Sequence, residues 1–495
     1  MTPELSVFYV ARVTLETVTP LSIGTGAIDG VFDVQLVRDA NGLPAIPGSS
    51  LAGVLRHLYW LTHEDDPAVK QKIHGLFGYQ EGDTGEASKL HISWGVMQDS
   101  KGKPLEGLLL GPQATNCLQG DKLLKVAIAT ADTPVFRDRV RISHRGAAEK
   151  MGKFDRSVLP AGYRFSVELS LWSHQVDDSR WGEILKLLGH PLFRIGAGTR
   201  AGLGKLKVVQ AHSGSFNLKD KQGRKSFAKL DSSLAKVEVL KPFLFQLISS
   251  PRFVTATLKL KPKGFWRIGQ GDTAHCQDGS GKLADLLPKT EQRVKWNGGN
   301  VEIAIAELLI PASSIKGALA HRVAFHANRL NSYWAEEHQE SIADYEKSEH
   351  CDAVKNLFGF ARDDRPTKDG NEVKENQPKA QAGKIWIDDA FVEFNPSDLQ
   401  LMMHNAIDRF SRDVREHFLF SEELVWKKPI IVNMLIDTDG LDNVVRIALK
   451  NTLVDLQEGR LSFGGGASNG HGLFEATLHF SDKAAWLNGK TLGAE

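Results

Sequence analysis

A ten-residue stretch, Ile46 to Leu55 (IPGSSLAGVL), recurs 264 residues later, from 46 to 310, as Ile310 to Leu319 (IPASSIKGAL). Each copy reads as a strand end, a proline turn, a serine pair able to cap, and a helix start. Apolar residues then recur at helical spacing: Leu51, Val54, Leu55, Leu58 and Tyr59 in one copy, Ile315, Ala318, Leu319 and Val323 in the other. Other landmarks repeat in the same order. Ala11 to Leu15 and Ala256 to Leu260 alternate like strands and lead to Ile23-Gly24 and Ile268-Gly269 turns. Leu76-Phe77-Gly78 matches Leu357-Phe358-Gly359, and Leu90 to Trp94 matches Lys384 to Ile387. A glycine loop, Ile195 to Gly204, matches Phe463 to Gly472. Collinear repetition of this kind means an internal duplication.

The duplication divides the 495 residues into a first domain, 1–210, a polar and basic linker, 211–250, and a second domain, 251–495. Strands, helices and glycine turns alternate irregularly, which predicts an α+β fold rather than a βαβ array. No run of 18 apolar residues suggests a membrane span. The start, Met1 to Leu5, lacks the basic and apolar regions of a signal peptide, and three cysteines make no disulfide framework; both point to the cytoplasm. The net charge of +1 gives no argument for nucleic acid unless charge gathers on one face.

Charge does gather locally. Residues 137–164 hold eight Lys or Arg against three acids, and the alternation of Arg137, Arg139 and Arg141 predicts one cationic strand face. Gly146 to Phe154 interrupts the pattern as a projecting hairpin tip. The glycine loops, Gly196, Gly198, Gly202 and Gly204 with Arg200, and Gly464, Gly466, Gly470 and Gly472 with Asn469, are spaced GxGxxxGxG. That is neither a dinucleotide fingerprint nor a P-loop. Residues 271–300 form an insertion in the second repeat, and residues 361–383 carry almost no apolar side chains. His275-Cys276 and His350-Cys351 lack zinc-ligand spacing, so structural zinc is not expected.

IPGSSLAGVLR, the Leu-Phe-Gly motif and the closing glycine loop together resemble the RAMP superfamily of CRISPR systems. The chain is similar to two type III effector backbone subunits fused in tandem, an arrangement of type III-D-like kind. The resemblance implies modified RRM or ferredoxin-like cores, each with a thumb hairpin, lined along a guide RNA and associated with complementary target RNA and other effector subunits. It implies RNA contacts at Ser49, Ser50, Arg56, Ser313, Ser314 and Lys316 and at both glycine loops, while the clustering of cations points Arg137, Arg139 and Arg141 to RNA as well. Helix starts and open amides suit phosphate.

The resemblance also implies a target-RNA endonuclease using one aspartate in the loop before the motif strand, assisted by divalent Mg or Mn. Asp33 matches that position, with Asp29 nearby. Counting back from Val301 puts Asn300 at the equivalent place in the second repeat. That repeat then either only binds, or uses Asp272, Asp278 or Asp285. The alternatives are a non-catalytic RNA scaffold and a guide-processing ribonuclease of the same superfamily.

Overall fold

The computed structural model describes residues 5–26, 35–142, 148–245, 252–276, 283–303, 306–334, 351–361 and 380–481. In the first repeat, strand β1 (Val7–Thr17) is followed by helices α1 (Gly48–Thr62) and α2 (Val69–Phe77) and strands β2 (Leu90–Ile92) and β3 (Val96–Met97). Helices α3 (Gly111–Gly120) and α4 (Lys122–Asp132) lead to a hairpin of β4 (Arg139–Ile142) and β5 (Ala148–Phe154). Strand β6 (Arg164–Ser173), helix α5 (Ser179–Leu187) and strand β7 (Leu206–Asn217) complete the repeat. Every pairing is antiparallel, in the order β7-β1-β6-β2. This is the βαββαβ ferredoxin-like arrangement with the hairpin inserted before its third strand.

The chain then crosses helix α6 (Lys221–Phe227) and strand β8 (Lys241–Pro242), which returns to pair with β7. The expected linker therefore belongs largely to the first domain. Phe216, Leu240 and Val10 form a small core on the outer sheet face. Beside it the buried Arg12 guanidinium donates to the carbonyls of Asp231, Ser233 and Lys236 and pairs with Glu168 at 2.9 Å. A charge on β1 is thus neutralised by folding the linker over it.

The second repeat runs β9 (Phe253–Pro262), a hairpin of β10 (Val294–Asn297) and β11 (Asn300–Ile303), β12 (Glu307–Ile310), α7 (Ala312–Leu330) and α8 (Asp352–Phe358). It continues with β13 (Ile385–Ile387), β14 (Ala390–Val392), a long hairpin of β15 (Leu399–His404) and β16 (Phe420–Trp426), β17 (Ile430–Asp437), α9 (Asn443–Gln457) and β18 (Phe474–Phe480). Its sheet order, β18-β9-β17-β13, reproduces the first. Register agrees too: Tyr9 opposes Leu171 and Leu171 opposes Leu90, as Val254 opposes Ile436 and Ile436 opposes Ile385. Each sheet buries one face under its motif helix. Leu51, Leu55, Leu58 and Tyr59 enter one core; Ile315, Leu319 and Val323 enter the other. Two α+β repeats of one topology result.

The serine pairs do not cap. Both motif helices begin one residue earlier, with Pro47 and Pro311 at the N-cap positions and no side-chain cap bond from either. The acidic stretch 335–350 and residues 362–379 lie outside the described residues.

Candidate nucleic-acid interface

Backbone hydrogen bonds align the loops that precede each motif strand. In the first repeat, Thr25 N donates to Gln35 O at 2.9 Å and Ala45 N to Val37 O at 3.1 Å. In the second, Gly271 N donates to Leu287 O at 2.9 Å and Leu309 N to Lys289 O at 2.8 Å. Val37 therefore matches Lys289, and Gln35 matches Leu287. Asp33 is four residues before Val37, and Asp285 is four before Lys289. Asn300 is not the counterpart. It pairs with Asn297 at the turn of the β10–β11 hairpin, inside a segment of twenty steps that replaces eight in the first repeat (289 to 309 against 37 to 45). Counting back without that hairpin gave the wrong residue.

Asp285 is exposed, and its Oδ2 accepts from Ser421 N at 2.8 Å and Ser421 Oγ at 3.1 Å. Ser421 belongs to β16, so the aspartate loop is pinned to the root of the second hairpin. Asp272 is also exposed, its Oδ1 accepting from Thr273 Oγ1 at 3.0 Å. Asp29, Asp33 and Asp278 lie outside the described residues. No group of three His, Cys, Asp or Glu among the described residues could hold a metal ion. An exposed carboxylate such as Asp285 suits the mode in which Mg or Mn is held by one carboxylate and substrate phosphates. Cys276 and Cys351 are free thiols packed against the second core.

The first glycine loop is spent on contact between the repeats. Gly202 sits at φ +101°, where a Cβ would fall 1.9 Å from Asp389 Oδ1. That buried carboxylate accepts from Ala312 N at 2.8 Å, capping α7 from another strand connection, and lies 3.2 Å from Arg137. Arg137 also pairs with Glu291 at 2.8 Å. Burial raises both Asp389 and Glu291, outweighing the Arg137 charge. Next door, Asp388 pairs with Arg194 and Lys205, both at 2.7 Å. Burial would raise Asp388, but those two cations outweigh it and hold it low. Arg137 is accordingly a buried seam residue, outside β4, and shares no strand face with Arg139 and Arg141. Arg141 is exposed on β4.

Three other expected RNA contacts are brought together at this seam. Arg139 donates to Ala201 O at 3.1 Å. Arg200 donates to Gly383 O at 2.7 Å and lies 4.7 Å from the Trp386 ring centre. Lys316 donates to Phe358 O at 2.9 Å. Burial, then the charges of Arg200 and Arg139, push Lys316 down to about 8. Each side chain spends one donor on a carbonyl and has further donors. Ser313 and Ser314 are half-buried in the first turn of α7; Ser49 and Arg56 are exposed on α1, with Ser50 half-buried. The second glycine loop exposes Asn469 and Gly470, whereas Gly472 is buried.

The resemblance implied a hairpin in each repeat, but sequence reasoning did not locate the second one. Its tip between β15 and β16 is exposed and carries Arg409, Arg412 and Arg415 beside Phe410, which is 97% exposed. Arg415 lies over Phe418 at 4.5 Å. The interleaved cations and aromatics of 409–418 were the available signal. At its root Glu422 bonds Arg267 at 2.6 Å and lies 3.2 Å from His404.

Fold and site define a duplicated ferredoxin-like protein with a hairpin on each repeat and a cationic seam between them. The chain belongs to the RAMP superfamily, whose sequence profile matches residues 14–207 and again 259–475. Membership points to RNA binding in a CRISPR-associated setting. No curated protein matches the chain. No described helix is long and apolar enough to cross a membrane.

Proposed function

We propose that this chain is a guide-RNA-binding backbone subunit of a type III CRISPR effector complex that also cuts complementary target RNA. The reading is supported by the paired loop register, in which Asp33 and Asp285 each stand four residues before the matched positions Val37 and Lys289, with Asp285 tied to a hairpin root through Ser421. Arg139, Arg200 and Lys316 grip guide phosphates at the seam, and the hairpins interrupt the duplex at intervals. Base pairing, not side chains, reads the target. Each aspartate holds charge beside a scissile phosphate, and Mg or Mn would add positive charge there when bound. Cleavage therefore belongs to both repeats, and partner subunits complete the filament.

The test uses the assembled complex with guide and complementary RNA. Asp33→Ala is expected to abolish one set of cuts and Asp285→Ala another, with target affinity within about threefold of wild type, since binding is spread over many phosphate contacts. Chelation of divalent cations is expected to mimic both. Full cleavage by the double variant would leave a scaffold whose cutting is done by a partner.

A further inference from the structure

A groove of about 460 Å³ opens between α1 and α2, lined by Gly53, Arg56, His57, Trp60, Lys70 and His74, together with Ile73. Its volume is in the range of small-ligand sites. Trp60 is 46% exposed, a large apolar plane left open on a helix face. The His57 ring runs nearly parallel to it, at 21° and 6.2 Å between centres. On the facing helix His74 stacks on Tyr79 at 4.4 Å. Partial burial, then the Arg200 charge, lowers the His57 pKa. Arg56 and Lys70 are exposed cations at the rim. Lys70 meets Glu81 at 3.4 Å, a solvent-exposed pair of little strength. No carboxylate lines the groove.

The second repeat has no such groove chemistry. At the helix offset of 264, Arg56 becomes Ala320 and Trp60 becomes Ala324. At the Leu-Phe-Gly offset of 281 (76 to 357), Lys70 becomes Cys351. The feature is thus peculiar to the first repeat, and the duplicated fold does not require it. An aromatic plane flanked by cations, with no carboxylate in the lining, matches a ligand with a flat base and an anionic group.

We infer that the α1–α2 groove is a nucleotide site, with the base stacked on Trp60 and the phosphate held between Arg56 and Lys70. It goes beyond the proposed backbone role and does not depend on it. The same chemistry is offered by a free nucleotide and by one unit of a single strand.

The experiment titrates the full chain with adenosine 5′-monophosphate and with a six-residue oligoadenylate, followed by calorimetry. Base–aromatic stacking of the usual strength predicts that Trp60→Ala weakens both probes by about 5- to 150-fold. Trp60→Phe is expected to keep most of the affinity, and Arg56→Ala with Lys70→Ala to weaken both probes. A hexamer bound much tighter than the monophosphate supports the site and assigns it to a strand; equal affinities support it and assign it to a single nucleotide. Failure of both probes to bind, or unchanged binding by Trp60→Ala, overturns the inference. Arg139→Ala with Lys316→Ala separates the two readings: it is expected to reduce long-RNA binding at the seam while leaving monophosphate binding intact. Equal loss of the monophosphate would place it at the seam and reject the groove.

Discussion

Lys316 shows how a single position can be legible in type yet not in state. Its place in the repeated motif marks it as a candidate cation for phosphate, but only packing brings it beside Arg200 and Arg139 and lowers it to about 8. A phosphate favours the charged form. RNA affinity is therefore expected to be level below about pH 7 and to fall by about tenfold as pH rises through 8 to 9, a loss in keeping with one charge-assisted contact. Lys316→Arg, which stays charged, is expected to remove that fall; binding assays across pH check it. Stability runs the other way. Between about 8 and the unfolded value of 10.5 the unfolded chain holds a proton that the folded chain has released, so this residue adds stability as pH rises. Asp285 teaches the same lesson differently: its bonds from Ser421 N and Oγ come from a hairpin more than a hundred residues on, which the sequence does not show.

The two glycine loops share a spacing and positive φ but face different surroundings. Gly202 meets Asp389 and Ala312, so Gly202→Ala forces apart the seam as well as straining the backbone. A loss of about 2–4 kcal/mol in urea unfolding is expected, combining overpacking with φ strain. Gly470, at φ +81°, has nothing within 4 Å of a built Cβ. Gly470→Ala is expected to cost only about 1–2 kcal/mol, the backbone preference alone. Equal effects would show that the seam does not discriminate. The spacing was readable in the sequence; which loop is covered was not, because the covering residues Ala312 and Asp389 come from 110 (312 − 202) and 187 (389 − 202) residues away.

Over the whole molecule, the repeats are joined by more than the linker. The β10–β11 hairpin reaches back to the first repeat, where Val294 N donates to Ala161 O at 3.0 Å and Trp296 Nε1 to Gly162 O at 2.8 Å. Arg164 lies 3.9 Å from the Trp296 ring centre. Arg137, with Glu291 and Asp389, forms the buried ionic part of the seam. Arg137→Ala leaves two buried carboxylates without their cation, and about 3–5 kcal/mol of stability is expected to be lost. Replacing Arg137 and Glu291 together by Met and Leu is expected to recover part of it. A salt-dependence measurement checks the assignment from the other side. Arg137→Ala in a still-folded chain is expected to leave the slope of RNA affinity unchanged, whereas Arg139→Ala is expected to flatten it by about one phosphate contact.

The sequence by itself determined the duplication, the α+β class, the motif helices and the residue types available for phosphate. These follow from local periodicity and from a comparison of the chain with itself, and neither needs long-range contacts. Tertiary structure decided that Arg137 is buried, that the linker folds onto Arg12, and that Asn300 is a hairpin turn. Each depends on partners distant in sequence, and burial changes what a charged side chain can do: the same arginine is a phosphate grip in water and a structural ion pair inside a seam.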